Sequence, residues 1–496
     1  MSRIERARRL RRAALPALAL LACAPALATA QAAAPDPAAV DRFLRENLER
    51  TGLPGVAVAI VSRGGAQVTA HGHDSEGRPL GPDTPMRVGS LSKSFTALAV
   101  MQLVEGGRVQ LDCSIAEYLP EFEPLHPRGS HITVRQLLNQ SSGMSDDAFA
   151  EMTLPQPTTT RQAVERMGEA WLAAEPGEEW IYHNPNYHLL ARLIEVAGGM
   201  PYADYMRTRV FEPMGMTRTY TVMRASERQA GLADGYTVRY GFPVARPIFD
   251  HWVAGSGGVV STARDMATWL RVNLDGGVAP NGRRVISAES LRAMHAPSAP
   301  GEDYGFGWET DRLDDGSTRV EHGGLLFTFS ANQQLYPAAG IGIAVLFNSA
   351  TPTGAEQMSF IDGVEALARG REPEMGSPVS RIVDGVIALL TVISLLLGIR
   401  RARRAREWAR RWAARPGWAR TLRLIAGSIP AVICLFLPTL AGLLLGGRDV
   451  TWTSAVFAWP ALVVWSAVAA ASALTVLAFR LLRLREERRR SSPAPA

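Results

Sequence analysis

Gly89-Ser90-Leu91-Ser92-Lys93 sets a hydroxyl and an amine three residues apart at the head of a segment, Ser90 to Glu105, that reads as a helix stopped by Gly106-Gly107. On a helix this spacing brings both side chains to one face, a turn apart. A serine hydroxyl is a poor nucleophile until a neighbouring base takes its proton. A lysine can be that base only where desolvation or nearby positive charge keeps it neutral near pH 7. Lys93 is the only lysine in a chain with 53 Lys and Arg. Guanidinium essentially never deprotonates, so a chain that uses arginine at every other basic position has kept one amine able to move a proton. By itself Ser-x-x-Lys is a common tetrapeptide, and its weight depends on what accompanies it.

Two further segments carry suitable groups. Tyr182-His183-Asn184 follows Glu179-Trp180-Ile181 and leads into a helical run, Tyr187 to Ala197. A phenol close to an ammonium ionises more easily and can relay protons to and from the serine and a leaving group, and Asn184 can donate to a substrate carbonyl. His322-Gly323-Gly324 reads as a turn just before a late strand. The two glycines allow a substrate backbone to come close, and the Leu325 amide can join the Ser90 amide as an oxyanion hole. Tyr-x-Asn and His-Gly-Gly are each weak as single motifs.

The elements that must position these residues are strands at both ends of a soluble region. Gly55 to Ser62 (GVAVAIVS) and Ala66 to His71 read as a hairpin around Arg63-Gly64-Gly65, and Ser330 to Leu335 and Ile341 to Phe347 as a second pair around a Pro-Ala-Ala-Gly turn. Strands at both ends with helices between them predict an α+β fold, in which an antiparallel sheet is closed by both termini around an inserted helical region.

Taken together, Ser-x-x-Lys, Tyr-x-Asn about ninety residues later and His-x-Gly about 140 further on resemble the serine β-lactamase and penicillin-binding-protein superfamily, in its class C β-lactamase-like branch. Further stretches in the style of that family are Leu103-Val104-Glu105-Gly106-Gly107, Val134-Arg135-Gln136-Leu137-Leu138 with Ser141-Ser142-Gly143, Ser256-Gly257-Gly258-Val259, and Tyr304-Gly305-Phe306-Gly307-Trp308. The resemblance implies an antiparallel sheet flanked by helices plus an all-helical subdomain. It makes Ser90 the acylated nucleophile, Lys93 and Tyr182 the proton-transfer pair, and Asn184 with His322, Gly323, Gly324 and Leu325 the substrate-facing walls. Where classical lactamases often carry Lys-Thr-Gly, this chain has His322-Gly323-Gly324, which favours peptidase and esterase members over strong recognition of a β-lactam carboxylate.

Charge is divided along the chain. Residues 36–380 hold 29 Lys plus Arg against 41 Asp plus Glu, whereas the flanks hold 24 against 6. The overall +6 therefore belongs to the ends, and no basic stripe with interleaved aromatics remains to bind nucleic acid. Residues 1–30 read as an export signal, with a basic start from Arg3 to Arg12, an apolar run and Ala28-Thr29-Ala30 as cleavage site; Cys23 leaves lipidation open. Residues 36–370 form the predicted hydrolase domain and 371–381 a linker.

Three stretches, 382–399, 424–446 and 455–479, are apolar enough to span a bilayer, with a basic tail at 480–496. Arginine-rich flanks at 400–423 and 480–490 predict that those segments are cytoplasmic. The short connection Gly447 to Ser454, with one Arg and one Asp, and the large domain then lie outside, which predicts a bacterial inner-membrane protein with a periplasmic catalytic domain. Trp408, Trp412, Trp418, Trp452 and Trp459 read as interfacial anchors. Cys113, alone in the soluble region, is expected to be a buried hydrophobe. No metal or cofactor is expected: His71 and His73 share a strand face but lack a third ligand at suitable spacing.

A catalytic domain of this kind followed by three helices resembles the prodrug-activating peptidases of nonribosomal peptide pathways, such as the colibactin-maturing peptidase. That resemblance implies removal of an N-acyl-D-amino-acid cap, with His183 and His251 as candidates to contact it. The expected partners are a small-molecule or peptide substrate, N-acylated, and membrane lipid. A β-lactamase, a D,D-peptidase, an esterase and a penicillin-type sensor acylated at Ser90 use the same residues, and the substrate and oligomeric state stay open at this level.

Overall fold

The computed structural model describes residues 35–491. The expected export signal and Cys23 lie outside the described residues. Helix α1 (Pro37–Thr51) starts where Asp36 accepts a hydrogen bond from the Ala38 amide at 3.0 Å and Pro37 supplies a helix-ready φ, and it stops at Gly52 in the left-handed region. Strands β1 (Gly55–Ser62) and β2 (Gly65–Gly72) form the expected hairpin, with Ser62 opposite Gly65. Helix α2 (Ser92–Glu105) follows a single 3-10 turn, Gly89–Leu91, so Ser90 sits just ahead of the regular helix. Helix α3 (Pro185–Gly198) packs against α2, and α4 (Ala263–Leu274) crosses the sheet.

Strands β3 (Glu309–Arg312), β4 (Thr318–Leu325), β5 (Ser330–Tyr336) and β6 (Ile341–Phe347) complete a six-stranded sheet in the order β2-β1-β6-β5-β4-β3. All of its pairings are antiparallel, and β1 lies directly beside β6, so the sheet is closed by both ends of the domain. One expectation is corrected here. His322-Gly323-Gly324 is not a turn before a strand but part of β4, opposite Gln333, Asn332 and Ala331 of β5.

The unbroken apolar run of β1 reflects burial on both faces. Ala57, Ala59 and Val61 join the core that contains Trp269 and Leu270 of α4. On the other side Phe347 of β6 meets Phe360 of α5 (Ala355–Ala368) at 5.6 Å, and Phe360 meets Phe43 of α1 at 6.1 Å. The helical region carries most of the remaining core, including Leu137, Leu138, Tyr187, Leu190 and Phe211. Cys113 is half-buried rather than buried, with its Sγ 3.5 Å from Gln110 Oε1 at the domain surface.

Beyond the catalytic region run α6 (Val379–Arg403), α7 (Gly417–Leu435), α8 (Leu437–Leu444), α9 (Trp452–Ala458) and α10 (Pro460–Ser491). Three of them, α6, α7 and α10, are long and apolar enough to cross a membrane. Helix α9 is separated from α10 at Trp459-Pro460, because proline lacks an amide hydrogen and pushes its predecessor out of helical geometry; Trp459 sits at φ −147. The Trp459 indole donates to Asp384 of α6 at 3.0 Å, and Gly398 of α6 faces Ser472 of α10 closely enough that a Cβ would lie 2.6 Å from the Ser472 Cβ.

Candidate active site

Two glycines let the chain segments of the site meet. Gly89 has φ +55, and a Cβ there would lie 2.9 Å from the Leu325 amide nitrogen. A Cβ on Gly324 would lie 2.1 Å from the Val88 carbonyl oxygen. Strand β4 is thus laid directly against the backbone leading into Ser90, and the Ser90 and Leu325 amides belong to these two facing segments. The start of α2 is fixed from the other side, where Ser92 Oγ donates to the Gly89 carbonyl at 2.6 Å and accepts from the Val259 amide at 2.9 Å.

Replacing Gly324 by alanine is therefore expected to force β4 away from Val88. Overpacking costs about 1–3 kcal/mol in general, and a rigid carbonyl in the way places this case at the upper end. The expected result is a lower thermal midpoint together with slower labelling of Ser90 by a fluorophosphonate. Wild-type values for both would mean that the two segments separate freely.

Lys93 is fully buried. Its Nζ lies 3.2 Å from Ser90 Oγ, 2.9 Å from Asn184 Oδ1 and 3.0 Å from the Ser256 carbonyl oxygen. A neutral amine has two N–H donors and one lone pair. Asn184 and Ser256 take the two donors, which leaves the lone pair for the Ser90 hydroxyl. Burial holds the Lys93 pKa well below the usual lysine value; the Arg448 charge lowers it further and Glu151 opposes.

Tyr182 packs with its ring centroid 4.7 Å from Lys93 Nζ and shares a hydrogen bond with Ser90. The sequence predicts easier ionisation of this phenol, and the structure reverses that expectation. Burial lifts its pKa well above the ordinary tyrosine value, outweighing the hydrogen bond to Ser90 and the Arg448 charge. The lowered Lys93 pKa also disfavours an ammonium beside the ring, which is what would stabilise phenolate. Tyr182 is a neutral phenol, fitted to donate a proton.

Asn184 is held at both ends: its carbonyl accepts from Lys93, and its Nδ2 donates to Glu151 Oε1 at 2.7 Å. One Nδ2 hydrogen remains for another acceptor. His183, a candidate to contact an N-acyl cap, is fully buried, with Nδ1 2.7 Å from Asp146 Oδ1. Its neighbours rather than its own ring reach the site. His251 is also buried, its Nδ1 3.0 Å from the Phe249 carbonyl oxygen and its ring against Phe249 and Phe327.

His322 Nε2 lies 3.2 Å from the Tyr304 hydroxyl, and the ring is 6.2 Å from that of Tyr182. Burial lowers the His322 pKa to about 3, so the imidazole is neutral. Gly323 has open space where a side chain would project, and Leu325 is 64% exposed. Among the described residues no group of three or more His, Cys, Asp or Glu side chains is gathered to hold a metal, and His71 is paired instead with Asp41 at 2.9 Å.

Several members of this cluster carry no motif. Ser256 belongs to the Ser-Gly-Gly-Val stretch, but nothing local says that its carbonyl faces a lysine 163 positions away. His188 lies behind it, Nε2 3.0 Å from Ser256 Oγ. Glu151, Asp146 and Arg448 enter from a loop and from the membrane part of the chain. The one available hint is that Arg448 and Asp449 are the only charged residues of the Gly447 to Ser454 connection.

The profile of the Beta-lactamase family matches residues 40–366, which takes in the whole of this cluster except Arg448. The chain belongs to the beta-lactamase family. It is similar to Protein flp of Staphylococcus aureus (strain N315), 27% identical over 320 residues that make up 62% of either chain. It thus spans only about 62% of the length of the curated relatives it matches first. Among solved structures it is similar to an octameric penicillin-binding protein homologue from Pyrococcus abyssi, at 28% identity and a TM-score of 0.59, covering 69% of this chain and 79% of that one. A D-stereospecific amidohydrolase from Streptomyces sp. is 27% identical with a TM-score of 0.51, over 63% of this chain and 94% of that one. As a member of the beta-lactamase family, the chain belongs to the serine β-lactamase and penicillin-binding-protein superfamily.

Proposed function

We propose that the chain is a membrane-anchored serine peptidase that cleaves the amide bond of an N-acylated D-amino acid by acyl transfer through Ser90. The observation that carries this reading is the convergence of Ser90 Oγ, Asn184 Oδ1 and the Ser256 carbonyl on the Lys93 nitrogen, which in a neutral amine leaves the lone pair for the Ser90 hydroxyl. Lys93 takes the Ser90 proton as Oγ attacks the amide carbonyl, and the Ser90 and Leu325 amides hold the oxyanion. As the C–N bond breaks, Tyr182 gives its proton to the leaving amine, and protonated Lys93 restores the phenol. Water then enters and loses a proton to Lys93 as its oxygen attacks the acyl carbonyl; the Ser90 Oγ–C bond breaks, and Lys93 returns the proton to Ser90 Oγ.

The choice of substrate rests on chemistry around this centre. Gly323 leaves room for an extended substrate along β4, the remaining Asn184 donor suits a substrate carbonyl, and exposed Leu325 suits an apolar acyl chain. The likeness to a D-stereospecific amidohydrolase favours a D-residue at the scissile bond. We further read the three apolar helices as an inner-membrane anchor, with the catalytic domain on the periplasmic side behind a cleaved export signal. There the enzyme would remove an N-acyl-D-amino-acid cap from a nonribosomal peptide precursor.

The test is hydrolysis of N-acyl-D-asparaginyl amides, their L-isomers and a chromogenic cephalosporin by the full-length protein beside its Ser90→Ala variant. The reading expects turnover of the D-amide at least about tenfold faster than the L-amide, a selectivity of about 1.4 kcal/mol, and none with Ser90→Ala. Preference for the cephalosporin would make the protein a β-lactamase, equal rates on both isomers a general esterase or amidase, and acylation without turnover a penicillin-type sensor.

A further inference from the structure

The connection between α8 and α9 reaches from the membrane helices to the catalytic centre. Arg448 Nε donates to Asp146 Oδ2 at 2.6 Å, its terminal nitrogen lies 3.4 Å from Glu151 Oε1, and the guanidinium carbon is 5.6 Å from the centroid of the Tyr182 ring. Asp449 fixes the approach: its carboxylate accepts from the Met152 and Thr153 amides and the Thr153 hydroxyl, each at 2.8 Å, and its own amide donates to Asp146 at 2.9 Å. The helices on either side are docked as well. Arg381 at the start of α6 donates to the Gly241 carbonyl at 3.2 Å, and Phe457 of α9 packs on Phe249 at 4.9 Å under the Arg246 guanidinium.

The chain of contacts runs inward without a break. Arg448 touches Glu151, Glu151 accepts from Asn184, Asn184 accepts from Lys93, and Lys93 meets Ser90. A buried carboxylate such as Glu151 needs a compensating charge, and the only cation that an ion pair gives it among the described residues comes from this loop. We propose that the membrane part of the chain supplies a positioning residue, Arg448, which holds the Glu151–Asn184 pair in place and thereby keeps the Lys93 amine neutral and aimed at Ser90. The catalytic domain is then incomplete without its membrane helices, and their role goes beyond anchoring. The inference rests on the reading of Lys93 as the base.

The groups facing Lys93 are Tyr182, Tyr187 and His188 from the α3 side, His322 from β4, Glu151, and Arg448. Removing the Arg448 charge lets Lys93 hold its proton more firmly, so the acid limb of activity moves to higher pH.

The experiment measures the rate of Ser90 labelling by a fluorophosphonate against pH, in full-length protein, for wild type, Arg448→Met, Arg448→Lys and the docking control Arg381→Met. The expected result for Arg448→Met is an acid limb raised by about one pH unit and, below that limb, labelling about tenfold slower. Arg448→Lys, which keeps the charge, should retain most of the wild-type limb, and Arg381→Met should not move it. A limb unmoved in Arg448→Met, or moved equally by Arg381→Met, overturns the proposal; if the Met variant does not fold, a displaced limb in Arg448→Lys does so. A wild-type rate with no acid limb would overturn the role of Lys93 itself, and this inference with it.

Discussion

Lys93→Arg is expected to lower kcat/KM by about 1,000-fold or more, a loss of about 4 kcal/mol of transition-state stabilisation, although the substitution keeps a basic side chain. The reason lies in the lone pair. A guanidinium has five donors and no acceptor, so nothing at that position could take the Ser90 proton, and its acidity is too weak for alkaline pH to restore a base. The cavity is also fitted to an ammonium-sized group, with Asn184, Ser256 and Ser90 all within 3.2 Å of one nitrogen. Steady-state kinetics from about pH 6 to pH 10 would check this. An arginine variant with a tenth of wild-type activity anywhere in that range would mean that positive charge, rather than proton transfer, is what the site needs.

Tyr182→Phe carries the second large effect, and its size should depend on the leaving group. A neutral phenol gives its proton when the C–N bond breaks, and an amine cannot leave as its anion, whereas an activated phenol ester needs no such help. The variant is expected to lose about 100- to 1,000-fold on an amide but no more than about tenfold on an activated ester of the same acyl group. Equal losses on the two substrates would assign Tyr182 to packing against Lys93 instead. The high pKa of this phenol sets the sign of the pH dependence: activity should not rise in step with phenolate formation at alkaline pH, because the neutral form is the working one.

The hairpin of β1 and β2 and the late pair β5 and β6 were legible because an apolar run bounded by Gly or Pro turns is a local signal. Ser90, Lys93, Tyr182 and Asn184 could be singled out because their types and spacing carry chemistry. What failed were inferences about environment. An ammonium beside Tyr182 would make it easily ionised, but the burial that lowers the Lys93 pKa also raises that of the phenol.

His183 stands between two site residues in sequence, yet its ring is fully buried with Nδ1 on Asp146, and nothing local in the sequence records that. His322-Gly323-Gly324 looked like a turn because glycine is common in turns. Here the pair sits in a strand, and Gly324 is required by the Val88 carbonyl rather than by a reversal of the chain. Arg448 was beyond reach for a different reason: its meaning depends on where a loop nearly 300 residues from Glu151 is docked, and no periodicity records that. The presence of a single Arg-Asp pair in the otherwise neutral connection Gly447 to Ser454 was the only trace.

In the proposed reaction Ser90 carries the acyl group of a D-configured substrate. This is tested most directly by quenching full-length protein within one turnover of an N-acyl-D-asparaginyl ester or its L-isomer and locating any adduct by peptide mass mapping. An acyl group is expected on the peptide containing Ser90, formed with the D-ester in marked preference to the L-ester and absent from Ser90→Ala. An adduct elsewhere, or equal acylation by both isomers, would contradict it.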